Sequence, residues 1–176
     1  MMAQITSENE QETEELVQLA VARAANFYDT HKLCCSEAVI VTVNQGFRGD
    51  LSPEAALQLG SGFCHGIGGA GCTCGALSGA VASMGVFLGP HGKDGFKKKK
   101  FRAIVREMHD RFRERFRATC CRVLSKKVKH DKHPHWANCL LLTKGGAEIA
   151  VRLLLEARPD LVNKADRNFL AGREGL

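Results

Sequence analysis

The stretch from Gly60 to Gly79, GSGFCHGIGGAGCTCGALSG, constrains the fold most strongly, because eight of its twenty residues are glycine and three are cysteine. Glycine has no Cβ and readily adopts a positive φ, so this run predicts a loop that folds closely around a bound group. The residues after it are small and apolar and predict a helix, which places Cys74 at or just before a helix N-terminus. Unpaired N–H groups and the helix dipole favour a thiolate there. The stretch therefore predicts a soft-metal or redox site whose other ligands come from elsewhere in the chain.

The same glycines contain the pattern G-x-G-x-x-G at residues 66–71, which in other contexts binds dinucleotides. That motif requires a strand before it and an acidic residue about 20 positions later. Here the preceding residues 53–62 predict a helix, and no Gly-Lys-Ser/Thr sequence ends the run as in a phosphate-binding loop. We therefore expect no nucleotide at this loop.

Helical periodicity dominates the rest of the chain. Ser52 followed by Pro53 is a helix-start signal, with serine at the N-cap and proline at the first helical position. The β-branched run at residues 39–43 leaves a strand as the less favoured alternative for the second element. The fold class predicted is all-α, a bundle of five or six helices with a glycine-rich cysteine loop. Predicted helices cover residues 9–30, 34–47, 51–63, 75–88, 94–117 and 136–156, with a shorter helical turn at 119–126.

The chain is long enough to build one ordinary hydrophobic core, and we expect a single helical redox domain over residues 1–158. The polar, His-rich residues 127–136 contain Pro134 and predict a loop, and Gly145-Gly146 predicts a kink in the last helix. Beyond Pro159 the sequence becomes polar, so we expect residues 159–176 to be a loosely ordered tail.

The polar and acidic N-terminus lacks the features of a secretory signal, and no apolar stretch is long enough to span a bilayer. These features predict a cytoplasmic protein. In that compartment the eight cysteines are expected to be ligands or redox thiols rather than structural bridges.

The cysteine spacing excludes several familiar sites. No C-x-x-C occurs, so the sequence supports neither a thioredoxin-type motif nor a zinc ribbon. Adjacent residues on a helix point about 100° apart, so each vicinal pair is expected to offer one thiol to a shared site. The other member of each pair would then be a small buried residue.

Five short segments carry a more specific pattern: Cys35-Ser36-Glu37-Ala38-Val39, Gly62-Phe63, Cys74-Gly75-Ala76-Leu77-Ser78-Gly79-Ala80, Cys121-Arg122-Val123-Leu124 and Cys139-x-x-Leu142-Thr143. Together they resemble the C_GCAxxG_C_C family of redox-active proteins, which is marked by four cysteines, one of them in a CGAxxG core. The resemblance runs from about residue 15 to residue 157. It implies a helical redox protein, often associated with oxidoreductase or transport systems, with no established substrate. It also implies that the four family cysteines are Cys35, Cys74, Cys121 and Cys139.

The chain departs from that pattern by adding Cys34, Cys64, Cys72 and Cys120. Cys64 and Cys72 stand where a small residue is expected, so they are further candidates for cofactor or metal ligands, or for resolving thiols. Each added cysteine could also be an inert small residue.

Three mechanisms remain open from the residues. The first is electron transfer through an iron–sulfur cluster held by Cys35, Cys74, Cys121 and Cys139, or by a set that includes Cys64 and Cys72. The second is thiol–disulfide exchange, with Cys74 as a low-pKa thiolate and Cys72 or Cys35 resolving it. The third is a zinc site that stabilises a non-enzymatic interaction module. The first two imply a redox partner protein.

Charge is distributed unevenly and bears on partners. Residues 97–117 carry a net charge of +7, whereas residues 1–37 carry −5. A basic helix of this kind predicts either a solvated face or a surface for nucleic acid or an acidic partner. His65 is a further possible ligand, and His130, His133 and His135 form a weaker candidate for a second metal site.

Overall fold

The computed structural model describes residues 2–30, 32–92 and 95–173, and within these ranges every regular element is helical. This confirms the all-α fold class. The elements are α1 (Met2–Asp29), α2 (Cys35–Gly46), α3 (Pro53–Ser61), α4 (Gly75–Leu88), α5 (Lys98–Phe116), α6 (Cys121–Ser125), α7 (Lys132–Ala157), a 3₁₀ helix (Pro159–Lys164) and α8 (Arg167–Ala171).

The core lies between α1, α2, α4 and α7, and α5 covers one side of α4 and α7. On α1, Leu16, Ala20 and Ala24 recur at helical spacing and are fully buried, as the amphipathic pattern predicts. None of the described helices is both long enough and apolar enough to cross a membrane.

Helix α2 contains the β-branched run that left a strand as an alternative. Val39, Ile40, Val41 and Val43 are all fully buried, so side chains on every side of the helix pack against protein. A helix that is apolar all round is stable only when neighbours enclose it. Burial on all sides therefore outweighs the modest strand preference of these residues.

Helix α7 begins earlier than the sequence predicts. Asp131 is its N-cap and accepts a hydrogen bond from the backbone N–H of His133 at 3.2 Å. Pro134 falls in the first turn, where its missing N–H leaves no helical hydrogen bond unmade. The prediction of a loop through residues 127–136 is therefore wrong from Lys132 onward, and α7 continues through Gly145 and Gly146.

The C-terminal segment is also more ordered than expected. The 3₁₀ helix and α8 carry Leu161 and Leu170, which are 5% and 0% exposed and pack into the core. The expectation of a loose tail is wrong for residues 159–171, because these two leucines anchor a sequence that is otherwise polar. The last residues of that expected tail, 174–176, lie outside the described ranges.

The predicted start of α3 is present in the structure, because the Ser52 hydroxyl accepts a hydrogen bond from the Ala55 backbone N–H at 3.2 Å. We expect Ser52→Ala to lower the free energy of unfolding by about 1 kcal/mol, because that N–H loses its partner. Urea denaturation followed by circular dichroism measures the change. Ser61→Ala is the control, since its hydroxyl bonds only to carbonyls within α3. A Ser52→Ala effect no larger than the control's would contradict the capping role.

Candidate metal and redox centre

A cavity of about 260 Å³ lies where the N-termini of α2, α4 and α6 meet α7 and the end of α1. Its walls include the four cysteines that the resemblance singles out, each from a different part of the chain. Its lining residues are Tyr28, Lys32, Leu33, Cys34, Cys35, His65, Cys74, Gly75, Cys121, Ser125, His135, Cys139 and Leu142. The fold thus brings Cys35, Cys74, Cys121 and Cys139 together, and leaves Cys64 and Cys72 outside the lining.

Cys35 and Cys74 both sit at the N-terminus of a helix of more than three turns. Cys35 is the first residue of α2, and Cys74 is the N-cap of α4. Backbone N–H groups of Ser36 and His65 hydrogen-bond to Cys35, and those of Ala76 and Leu77 do so to Cys74. The donors and the two helix dipoles favour negative charge on these sulfurs.

Cys121 is placed by a short backbone clamp between the glycine-rich loop and the segment before α6. The Cys121 N–H donates to the Cys72 carbonyl at 2.6 Å, and the Cys74 N–H donates to the Thr119 carbonyl at 2.8 Å. Thr73 and Cys120 form an isolated antiparallel bridge between these two bonds. The clamp fixes Cys74 and Cys121 relative to each other, although 46 residues separate them.

Cys139 comes from α7 and hydrogen-bonds to the Tyr28 side chain on α1. Burial and the neighbouring Cys139 raise the pKa of Tyr28, so its hydroxyl stays protonated and can donate to the sulfur. The sequence gives no sign of this role for Tyr28, because a single aromatic residue at the end of a helix carries no signal of a contact so distant in sequence.

The two glycines of the CGAxxG core allow α4 to approach α2 at the cavity. A Cβ built on Gly75 would lie 2.5 Å from Cys35 Sγ, and one on Gly79 would lie 2.7 Å from the Ser36 carbonyl oxygen. Both positions therefore require glycine for close approach rather than for an unusual φ. The motif brings the helix that starts after Cys74 against the helix that starts at Cys35.

The glycine-rich segment forms a loop with a run of left-handed residues between α3 and α4. Gly66, Gly68, Gly69 and Gly71 have φ between 58° and 86°, and the non-glycine residues His65 and Ile67 are also left-handed, with φ of 55° and 64°. A side chain in this region costs of order 1 kcal/mol or more, and such strain clusters at functional sites. In this loop, the left-handed residue His65 is also the one whose backbone N–H hydrogen-bonds to Cys35.

The expectation that Cys74 has a low pKa is wrong. Burial raises the pKa of Cys74 to about 12 and that of Cys35 to about 11, and it also raises the pKa values of Cys121 and Cys139. The helix N-terminus and the N–H donors lower the pKa of Cys74, but their effect is smaller than that of desolvation. In the absence of a bound cation, all four thiols are therefore protonated at neutral pH.

Cys34 and Cys64 form a disulfide, with Cα atoms 6.0 Å apart. This departs from the expectation that the cysteines are ligands or redox thiols rather than bridges. Cys34 and Cys64, with Glu37, also form the one group of three donor side chains in the described ranges whose ligand atoms all lie within 4.8 Å of one another. With both sulfurs reduced, such a group could hold a metal ion.

The remaining thiols lie away from the cavity. Cys72, the candidate resolving thiol and ligand, is exposed, and the half-buried Cys120 donates a hydrogen bond to the Gly71 carbonyl at 3.1 Å. Neither lines the cavity, so the pairs Cys120-Cys121 and Cys72-x-Cys74 each supply one thiol to the four-cysteine group. Cys34 does line the cavity beside Cys35, but its sulfur is bonded to Cys64.

The histidines divide between the cavity and the surface. His65 and His135 line the cavity, whereas the His133 ring lies 5.9 Å from Trp136, measured between ring centroids. His130 is exposed just before α7. The predicted second site made of His130, His133 and His135 does not form a three-ligand group among the residues described.

The basic helix α5 uses several of its arginines inside the molecule. Arg111 pairs with Glu156 at 2.9 Å, and Arg115 pairs with Glu148 at 2.7 Å, both on α7. The exposed lysines at residues 97–100 are the charges left facing solvent at the start of α5. Two of the ten basic side chains of residues 97–117 therefore hold α5 against α7.

Comparison with known proteins adds one match. The family model described as "Putative redox-active protein (C_GCAxxG_C_C)" matches residues 33–153, a range that contains all four cavity cysteines. The search of curated proteins and the search of solved structures return no match.

Proposed function

Because the chain belongs to the C_GCAxxG_C_C family of redox-active proteins, we propose that Cys35, Cys74, Cys121 and Cys139 hold an iron–sulfur cluster and that the protein transfers single electrons. The observation that carries the proposal is the meeting of four thiols from α2, α4, α6 and α7 in one cavity. Four cysteine thiolates are the usual ligands of [2Fe–2S] and [4Fe–4S] clusters. A bound cluster would supply the one-electron chemistry that protein side chains lack.

The spacing of the thiols favours a group larger than one ion. In a tetrahedral zinc site with Zn–S bonds of about 2.3 Å, ligand sulfurs lie about 3.8 Å apart. No three of the four cavity cysteines fall within 4.8 Å of one another in the described structure. A polynuclear cluster separates its ligands further than a single ion does, so it suits this arrangement better than the zinc alternative.

The surroundings suit a buried anionic cluster. Backbone N–H groups point at the sulfurs of Cys35 and Cys74, and the Tyr28 hydroxyl donates to Cys139. Hydrogen bonds to the sulfurs and exclusion of solvent are the means by which a protein sets the reduction potential of such a cluster. The residues of the chain would therefore bind, orient and shield the group, while Lys32 at the cavity wall adds positive charge.

Thiol–disulfide exchange at Cys74 has less support. An attacking thiol works best with a pKa near ambient pH and an accessible sulfur. Cys74 is 3% exposed and its pKa is raised to about 12. Of its two candidate resolving partners, Cys72 lies outside the cavity, and burial raises the pKa of Cys35 to about 11.

Anaerobic purification of the full chain, followed by iron, acid-labile sulfide and zinc analysis and by visible absorption, tests the proposal. We expect iron and sulfide with a chromophore that bleaches on reduction. Cys74→Ser and Cys139→Ser should lose most of the iron, and Cys72→Ser, the matched control, should retain it. Stoichiometric zinc without iron would overturn the proposal in favour of a zinc site. A colourless, metal-free protein whose Cys72 and Cys74 interchange between thiol and disulfide would overturn it in favour of exchange chemistry.

A further inference from the structure

The Cys34–Cys64 pair lies beside the four-thiol cavity and has its own surroundings. Cys34 is the N-cap of α2, and Cys64 follows the C-terminus of α3. Glu37 reaches back to this point, and its Oε2 accepts a hydrogen bond from the Cys34 backbone N–H at 2.9 Å. All three side chains are half-buried, so small solutes can reach the group from solvent.

Ser36 links the two sulfurs. Its hydroxyl donates to the Gly60 carbonyl at 2.8 Å and lies 3.4 Å from Cys34 Sγ and 3.2 Å from Cys64 Sγ. Because the hydroxyl hydrogen is used by Gly60, the oxygen is free to accept a hydrogen bond from a thiol once the disulfide is reduced. The pair is therefore accommodated both as a disulfide and as two thiols.

We propose that Cys34, Cys64 and Glu37 form a redox-controlled site for a thiophilic divalent cation such as Zn²⁺, distinct from the four-thiol centre. The disulfide form binds no metal, and reduction opens the site. A dithiol reductant transfers two electrons and two protons to the Cys34–Cys64 disulfide, which becomes two thiols while the reductant becomes a disulfide. Binding of Zn²⁺ then displaces two protons and leaves two thiolates and the Glu37 carboxylate as ligands.

The backbone geometry allows both states. A Cα separation of 6.0 Å lies within the usual range for a disulfide. Zinc with Zn–S bonds of about 2.3 Å needs the sulfurs about 3.8 Å apart, a change that side-chain rotation supplies. Three protein ligands leave a fourth position open to water, unlike a structural zinc site, in which four protein ligands complete the tetrahedron.

The position of the pair connects it to the neighbouring centre. Cys34 lines the cavity next to Cys35, and Cys64 precedes His65, whose backbone N–H hydrogen-bonds to Cys35. The disulfide ties the left-handed loop to the start of α2 at this point. The redox state of the pair therefore acts on the segment that supplies a hydrogen bond to one of the four thiols.

The test compares metal uptake by the full-length chain before and after reduction with a dithiol, followed by removal of the reductant. Zn²⁺ alone is added and bound metal per chain is counted; Cd²⁺ in parallel reports thiolate ligation through its ultraviolet charge-transfer absorption. Reduced wild type should take up one more Zn²⁺ per chain than oxidised wild type. Cys34→Ser and Cys64→Ser should lose that increment, whatever the four-thiol centre holds.

Two further variants separate ligation from folding. Glu37→Gln keeps a side chain able to cap α2 but removes the charge, and should weaken Zn²⁺ affinity roughly tenfold or more. Cys72→Ser removes an exposed thiol and should keep the full increment. The proposal fails if Cys34→Ser and Cys64→Ser bind as much Zn²⁺ as wild type, if Glu37→Gln binds with unchanged affinity, or if dithiols leave the disulfide intact in the native chain.

Discussion

Replacing Gly79 with alanine is expected to lower the free energy of unfolding by about 1–3 kcal/mol, the usual cost of overpacking a tight contact. A Cβ at Gly79 would lie 2.7 Å from the Ser36 carbonyl oxygen and 3.1 Å from Ser36 Cα. Both are backbone atoms of α2, so no side chain can rotate away and the two helices must separate. Urea denaturation followed by circular dichroism measures the loss.

Gly85→Ala, on the same helix, is the matched control. A Cβ at Gly85 would meet nothing within 4 Å. Alanine restricts the unfolded chain and favours helix, so this variant should gain about 0.5–1 kcal/mol. The two substitutions are chemically identical and predicted to be opposite in sign. Equal effects from both would show that helix packing is not what the glycine at position 79 provides.

Truncating Arg23 to alanine is expected to cost about 2–4 kcal/mol, because a buried charged side chain holds the C-terminal segment in place. Arg23 is 2% exposed and donates a hydrogen bond to the Gly172 carbonyl at 2.9 Å. Its guanidinium carbon lies 4.1 Å from the centre of the Phe27 ring and 4.8 Å from that of Phe169. Cation–π attraction at such desolvated sites contributes about 2 kcal/mol.

Limited proteolysis locates the damage from this substitution. Cleavage within residues 159–173 should increase in Arg23→Ala before the rest of the chain becomes sensitive. Arg167→Ala removes an exposed ion pair with Glu15, 2.8 Å long, and should cost less than about 1 kcal/mol without new cleavage. If both variants leave the tail equally protected, Arg23 does not anchor it.

Local signals in the sequence were sufficient for most of the fold. The 3–4 spacing of Leu16, Ala20 and Ala24 and the Ser52-Pro53 start signal predict α1 and α3, and the structure contains both. The CGAxxG core predicts a loop leading into a helix with Cys74 at the junction, which is also the arrangement observed. Resemblance then pointed to four distant thiols, and the fold places all four around one cavity.

The start of α7 was predicted wrongly although its cause is local: Asp131 caps a helix whose first turn contains Pro134. The other wrong predictions depend on contacts that are distant in sequence. Leu161 and Leu170 are too few to predict an ordered tail, yet both reach the core formed by other helices.

The cysteine chemistry was missed for the same reason. Cys34 and Cys64 pair because α2 and α3 fold back on each other, which places the start of one beside the end of the other. The pKa of Cys74 could not be read from its helix position, since desolvation by surrounding helices determines it.

The four cavity cysteines stand far apart along the chain, at positions 35, 74, 121 and 139. An unfolded chain that gathered them around one cofactor would have to close three long loops, each at a cost in entropy that grows with its length. In the folded chain, helix packing brings the four cysteines to one cavity, so the hydrophobic core carries that entropic cost. For the proposed cluster we therefore expect the polypeptide to fold first and to be loaded afterwards. We also expect a chain that unfolds to release such a cluster as a whole rather than to retain it on a fragment.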